Sequence, residues 1–188
     1  MSVEFQRRLT APDSDNKYYI KTTKGGYNRC IAINKDTGDV LPNCTGYAWG
    51  RFIECQGVHD CKLSRANAEL WYGHTSDGYQ RGFTAKLGAV ICWYSTRSGG
   101  HVAIVEKINS NGSIVTSNSA YGGKRFYLKT LSPQDNYYMG SSYSFQGFIY
   151  NPTEFYDPDT PIPEDDKIKK SKFPFVLYSR KLRKQRKK

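Results

Sequence analysis

Asn43-Cys44-Thr45-Gly46-Tyr47-Ala48-Trp49-Gly50-Arg51-Phe52-Ile53-Glu54-Cys55-Gln56-Gly57 is the stretch around which the rest of the chain organises itself. Cys44, Tyr47, Ala48, Phe52 and Cys55 fall at the spacing of one helical face. Asn43 offers a side-chain oxygen to the free N–H groups of a first turn, and Pro42 keeps the preceding chain extended. Gly57 suits the left-handed residue that ends a helix. Upstream, Ile31–Ile33 and Val40-Leu41 flank a polar turn, Asn34-Lys35-Asp36-Thr37-Gly38-Asp39. Downstream, a second helix is expected over Ser64–Tyr72, capped by Ser64 and stopped by Gly73. Apolar, β-branched runs then predict strands over Ala89–Tyr94, His101–Ile108, Ser113–Asn118, Phe126–Lys129 and Phe145–Tyr150, with Asn111-Gly112 in a turn. Helices first and an antiparallel sheet after them make an α+β fold class.

Cys44 falls in the first turn of the expected helix. Unpaired N–H groups and the helix dipole there favour a thiolate, the attacking form of cysteine, and the same N–H groups can hold an oxyanion. Taken alone, a cysteine on a helix face reads as core. A thiol nucleophile needs a base, and the chain has three histidines. His101 follows Gly99-Gly100 at the mouth of the apolar strand Val102–Val105, where glycines permit close approach of a loop. A solvated histidine at a strand end is the plainer reading. If Ile108 pairs with Ser113 across the turn, Ala120 lies opposite His101 and Asn118 becomes its diagonal neighbour on the same face. A slip of one residue would lose that face. Asn118 then orients one ring nitrogen and leaves the other to the thiol.

The order and context of these segments resemble a known family, the cysteine- and histidine-dependent amidohydrolase/peptidase (CHAP) domains. Asn43–Arg51 looks like the nucleophile segment, Asn67–Tyr72 like the second helix and Leu87–Trp93 like the strand before the histidine. Gly100–Glu106 resembles the histidine strand, and Ser117–Gly123 the strand of the third residue. The resemblance covers residues 28–150 and implies a papain-like fold that cleaves amide bonds in peptidoglycan, with Cys44, His101 and Asn118 as the catalytic residues. It further implies bacteriophage endolysins, virion tail-associated lysins or wall-remodelling enzymes. Many members carry a carboxylate where this chain has Asn118, and a neutral amide stabilises an imidazolium less. Asn43, Trp93 and Tyr121, beside the catalytic positions, are the substrate-binding candidates, the two aromatics as surfaces for a saccharide.

No cofactor and no metal are expected. Asp36 and Asp39 are too few oxygens for the calcium that some members bind. Cys55-x3-His59-x-Cys61, with His74, lacks the usual paired spacing of structural zinc. Five cysteines in no regular framework suggest free thiols made in a reducing compartment. No apolar run approaches the roughly 20 residues that cross a bilayer, and the opening residues lack the apolar stretch of a secretory signal.

The net charge of +11 is unevenly spread. Of 28 Lys and Arg, 11 lie in residues 167–188, leaving 17 against all 17 Asp and Glu. A globally basic nucleic-acid-binding domain is therefore a poor fit to the folded part. The expected organisation is an N-terminal arm (1–27), a catalytic domain (28–150), an acidic, proline-rich linker (151–166) and an extended basic tail (167–188). The tail is expected to hold an anionic wall polymer or to dock on virion tail proteins. Expected locations are the virion tail, or the host cytoplasm before release, with action at the cell wall. The alternative is a non-catalytic virion structural protein whose tail binds a partner or nucleic acid. An intact Cys44, His101 and Asn118 argues for the enzyme.

Overall fold

A computed structural model describes residues 2–13, 15–22, 30–32, 43–120 and 126–159, with backbone alone for residues 20–22 and 30–32. The elements run β1 (Val3–Glu4), β2 (Ile20–Thr22), β3 (Cys30–Ala32), α1 (Cys44–Gln56), β4 (Arg81–Gly82), β5 (Val90–Ser95), β6 (His101–Ile108), β7 (Ile114–Asn118), β8 (Tyr127–Leu131), β9 (Tyr143–Ile149) and β10 (Phe155–Tyr156). A six-stranded antiparallel sheet has the order β4-β9-β5-β6-β7-β8. Two small parallel pairs, β1 with β10 and β2 with β3, lie outside it. Residues Met1–Asp157 form one compact unit. Among the described residues no helix is long and apolar enough to cross a membrane. The expected turn at 34–39, Tyr121 and the basic tail lie outside the described residues.

The first helix forms where its punctuation places it. Asn43 is extended (φ −164°) and its side chain accepts from Gly46 N at 2.7 Å, while Gly57 adopts φ 70° and its N–H returns to Glu54 O. Every residue from Thr45 to Ile53 is buried, so the helix is covered on more than the one face that its stripe suggested. Ala48, Phe52 and Ile53 pack on Val90, Val102 and Ile104 of the sheet. From the other side Tyr19 lies against Gly50, where an added Cβ would meet its ring at 2.2 Å. Burying that much apolar surface outweighs the roughly 1 kcal/mol cost of a glycine in mid-helix.

The second expected helix, Ser64–Tyr72, is a correction. Only a single 3-10 turn forms, at Ala68–Leu70, so one α-helix rather than several packs on the sheet among the described residues. Nine residues are too few to nucleate a helix cheaply, and other groups claim their backbone. Glu69 N donates to Gly99 O, Trp71 Nε1 to Ala66 O, and Arg81 to the carbonyls of Trp71, Tyr72 and His74.

The strands fall within two residues of their expected ends, and β6 matches throughout. Both sheet faces are covered, by α1 on one side and by Tyr137, Tyr143 and Phe145 on the other, which explains continuous apolar runs without alternation. The β6–β7 register departs from expectation and then returns to it. Ile108 pairs with Ile114, one residue off, because Asn109 N–H bonds Ser113 O and Asn111 Oδ1 takes Ser113 N, enlarging the turn. The register then shifts between Val105 and Lys107, so that Val105 faces Thr116 and Ile104 faces Ser117. Glu106 is the extra residue of a β-bulge. Beyond it the pairing follows the expected register, and His101 and Asn118 share a face.

Candidate active site

Three elements converge on a cavity of about 460 Å³. The start of α1 supplies Asn43, Cys44 and Thr45, the 3-10 turn region supplies Asn67 and Ala68, and the loop into β6 supplies Ser98 to His101. Ala120 and Tyr143 complete the wall. Cys44 and His101 thus face one space. Gly100 makes this possible: at φ 76° its Cα lies so close to the 3-10 turn that an added Cβ would sit 2.5 Å from Glu69 N and 2.6 Å from Trp93 O. Gly100→Ala is expected to cost about 3 kcal/mol in strain and displacement and to lower the melting temperature by roughly 6–12 °C. Thermal unfolding checks this, and an unchanged midpoint contradicts it.

His101 is held on all sides. Its Nε2 lies 3.1 Å from Asn118 Oδ1. The Asn118 amide is oriented in turn, because Nδ2 donates at 3.0 Å to both Thr116 O and Thr116 Oγ1. Thr116 O can only accept, so Oδ1 is the atom turned to the imidazole. Nε2 therefore carries the proton and Nδ1 keeps its lone pair. The Trp93 ring stacks obliquely on the imidazole at 5.7 Å and Tyr143 meets it edge-on at 6.4 Å. The Tyr143 hydroxyl is 3.1 Å from Ser98 Oγ.

Burial dominates the electrostatics. It pushes the His101 imidazole down to about 4, with Asn118 opposing and Lys129 adding to the fall. Burial likewise raises the Cys44 thiol, against backbone N–H groups of Val102, Thr45 and Cys44 that lower it. The helix-start N–H groups thus act in the direction expected from sequence, but desolvation outweighs them. The resting pair at neutral pH is a thiol and a neutral imidazole. Cys55 is pushed further, to about 12, and fully buried Cys92 higher still. Iodoacetamide at neutral pH is therefore expected to modify Cys44 before Cys55 and Cys92, read by peptide mass mapping; faster labelling of Cys55 or Cys92 contradicts this.

The other site candidates separate. Asn43 lines the cavity, but its Oδ1 is occupied in capping α1, accepting from Gly46 N and from Thr45 Oγ1 at 3.1 Å. Trp93 is a correction as a saccharide surface. It has no exposed area and its indole N–H donates to Tyr137 O at 2.9 Å, so it supports His101 from beneath. Tyr121 lies outside the described residues, as do Asp36 and Asp39. Sequence reasoning passed over Tyr143, the half-buried aromatic of the cavity wall, because its placement depends on the bulged β5–β9 register. Tyr127 was also missed. It pairs directly with Asn118 across β7–β8, and burial, with Cys44 and Tyr143 nearby, raises its hydroxyl to about 12. Among the described residues no three His, Cys, Asp or Glu side chains cluster as a metal site would require.

Residues 34–120 match the CHAP domain family. The chain is 30% identical over 127 residues to "Probable autolysin SsaALP" of Staphylococcus aureus, a match covering 65% of this chain and 45% of that protein. It is 31% identical over 106 residues to "Probable autolysin LDP" of the same species, covering 52% of this chain and 34% of that one. The chain thus spans less than half the length of either relative. A crystal structure of N-acetylmuramoyl-L-alanine amidase from Staphylococcus aureus aligns over 62% of this chain and 34% of its own, with 25% identity and a TM-score of 0.44.

Proposed function

Because residues 34–120 match the CHAP domain family, we propose that this chain is a cysteine amidohydrolase that cuts an amide bond in the peptide part of bacterial peptidoglycan. The observation that carries the reading is the hydrogen bond from His101 to Asn118 at the wall of the cavity that Cys44 lines. In this account Nδ1 of neutral His101 takes the Cys44 proton as Sγ attacks the scissile carbonyl. The tetrahedral oxyanion gathers at backbone N–H groups near the start of α1. His101 then protonates the leaving amine, and an acyl-enzyme remains as a thioester on Cys44. Water, deprotonated by the same imidazole, resolves it and restores the thiol. Asn118 holds the ring and its tautomer throughout, and Trp93 and Tyr143 fix its plane. The fold of this arrangement is read as papain-like.

The bond cut is that between N-acetylmuramic acid and L-alanine, or one within the peptide or its cross-bridge. Labelling the new amino groups released from purified peptidoglycan decides between them. Labelled alanine identifies an amidase, and any other labelled residue an endopeptidase. Absence of new amino groups would overturn the proposal. The setting we propose is a bacteriophage endolysin or virion tail-associated lysin acting at the host wall. The names of the staphylococcal relatives favour a second reading, an enzyme of cell-wall turnover.

The clustering of 11 basic residues in 167–188 supports an anchoring role for the tail, on an anionic wall polymer or on a virion tail protein. Deleting residues 167–188 is expected to weaken retention on purified walls several-fold at low salt, with the difference vanishing as salt rises. Sedimentation across a salt series measures it, and equal retention throughout removes the anchor.

A further inference from the structure

We propose that Glu106 is a positioning residue for this site: its buried carboxylate holds the one-residue bulge in β6 that brings His101 and Asn118 to the same face of the sheet. The inference rests on the reading of Cys44, His101 and Asn118 as the working groups.

The register shows why the bulge matters. At the turn end Ile108 pairs with Ile114. Continued without interruption, that register places Asn118 opposite Ile104, on the face that packs against α1, while His101 points to the other face. The inserted residue brings Ser117 opposite Ile104 instead, so Asn118 comes opposite Ala103 and shares the face of His101. The 3.1 Å contact between them exists only in this second register.

Glu106 has no exposed surface. Its Oε1 accepts from Arg51 Nε at 2.9 Å and Ser117 Oγ at 2.7 Å, and its Oε2 from Arg51 Nη2 at 2.9 Å and Arg8 N at 2.8 Å. The donors come from the three places that must be aligned. Arg51 lies two turns along the helix that begins at Cys44, Ser117 precedes Asn118, and Arg8 belongs to the N-terminal segment that also bonds Glu54 and Arg51 of that helix. Arg51 is itself fixed by Glu54 at 2.9 Å and by Gln6 O. An apolar residue at 106 could pack in either register. A carboxylate with four directed donors is satisfied in only one, and the alternative leaves a buried charge unpaired.

The test is a cycle of variants. Arg51→Leu with Glu106→Leu removes both charges together, which spares the fold an uncompensated ion. The expected result is a roughly 100-fold fall in kcat for amino-group release from soluble peptidoglycan fragments, with KM changed less than about threefold, matching the fall from Asn118→Ala alone. Adding the leucine pair to Asn118→Ala should then lower kcat by less than about threefold more, because the pair acts through Asn118. Losses that multiply would show a general structural role and overturn the proposal. Ser117→Ala serves as a milder second probe should the leucine pair fail to fold, with about a tenfold loss and the same lack of additivity expected. Cross-strand nuclear Overhauser contacts give a readout independent of activity. Contacts of the Ile104–Ser117 pair should move by one residue in the variant, and their persistence would overturn the proposal even for an inactive protein. Failure of the functional reading itself appears differently, as a wild type that releases no amino groups.

Discussion

Replacing Cys44 with alanine is expected to lower the rate of peptidoglycan cleavage by about 10⁴-fold or more, with the melting temperature shifted by only a few degrees. The size of the loss follows from the role assigned to Sγ. In nucleophile–base systems, removing the attacking atom leaves only binding and oxyanion stabilisation, worth roughly 10³–10⁴ over water. The small stability effect follows from the surroundings. Cys44 is half-buried at the first helical position, and the capping bond from Gly46 N to Asn43 Oδ1 does not involve its side chain. Steady-state rates and a thermal melt on the same preparation check both halves. Substantial residual activity would move the nucleophile elsewhere, and a collapsed melt would make Cys44 structural.

The second large effect concerns pH. In the proposed mechanism neutral His101 is the base, and burial holds its conjugate acid down to about 4. The acid limb of kcat/KM is therefore expected near pH 4, well below the value of about 6.5 for an exposed histidine, and activity should persist through pH 5. Stability has its own dependence. Between about 4 and 6.5 the unfolded chain binds a proton at this residue that the folded chain does not, so stability falls as pH drops through that window. Above about 6.5 the contribution is constant. Glu54 acts in the same direction at lower pH: burial raises its carboxyl, but Arg8, Arg51 and Asn16 outweigh burial and draw it below the ordinary range. Its contribution is lost only at more acidic pH, as the carboxyl protonates. His101→Gln should flatten the slope of stability between pH 4 and 6.5 and reduce kcat by roughly 10³-fold. Denaturant titrations at stepped pH decide it. An acid limb near pH 6.5 would instead mean a solvated imidazole.

How much of this was legible in the chain depends on whether the deciding contact is local. The helix from Cys44 could be read because its cap, stripe and terminating glycine all lie within its own sequence. The strands could be read because apolar runs such as Val102–Val105 have no competing helical period. Asn118 could be matched with His101 because strand faces alternate, although the enlarged turn and the bulge at Glu106 had to cancel for the match to hold. What stayed hidden depends on distant partners. Ser64–Tyr72 has the composition of a helix, but its backbone is claimed by Gly99 and Arg81. Trp93 and Tyr143 are both aromatics near the site, and only the cross-strand pairing decides that the first is buried and the second faces the cavity. The same applies to Cys44. Its place at a helix start argues for an acidic thiol, while the packing that raises it comes from elements far along the chain.

The central claim is that Cys44 attacks an amide of the bacterial wall. Its most direct test is mass spectrometry of purified peptidoglycan digested side by side by the wild type and by Cys44→Ala. The account predicts soluble fragments with one new amino terminus and one new carboxylate from the wild type alone. Equal products from both proteins would contradict the thiol mechanism, and no products from either, across walls of several bacteria, would contradict the enzyme.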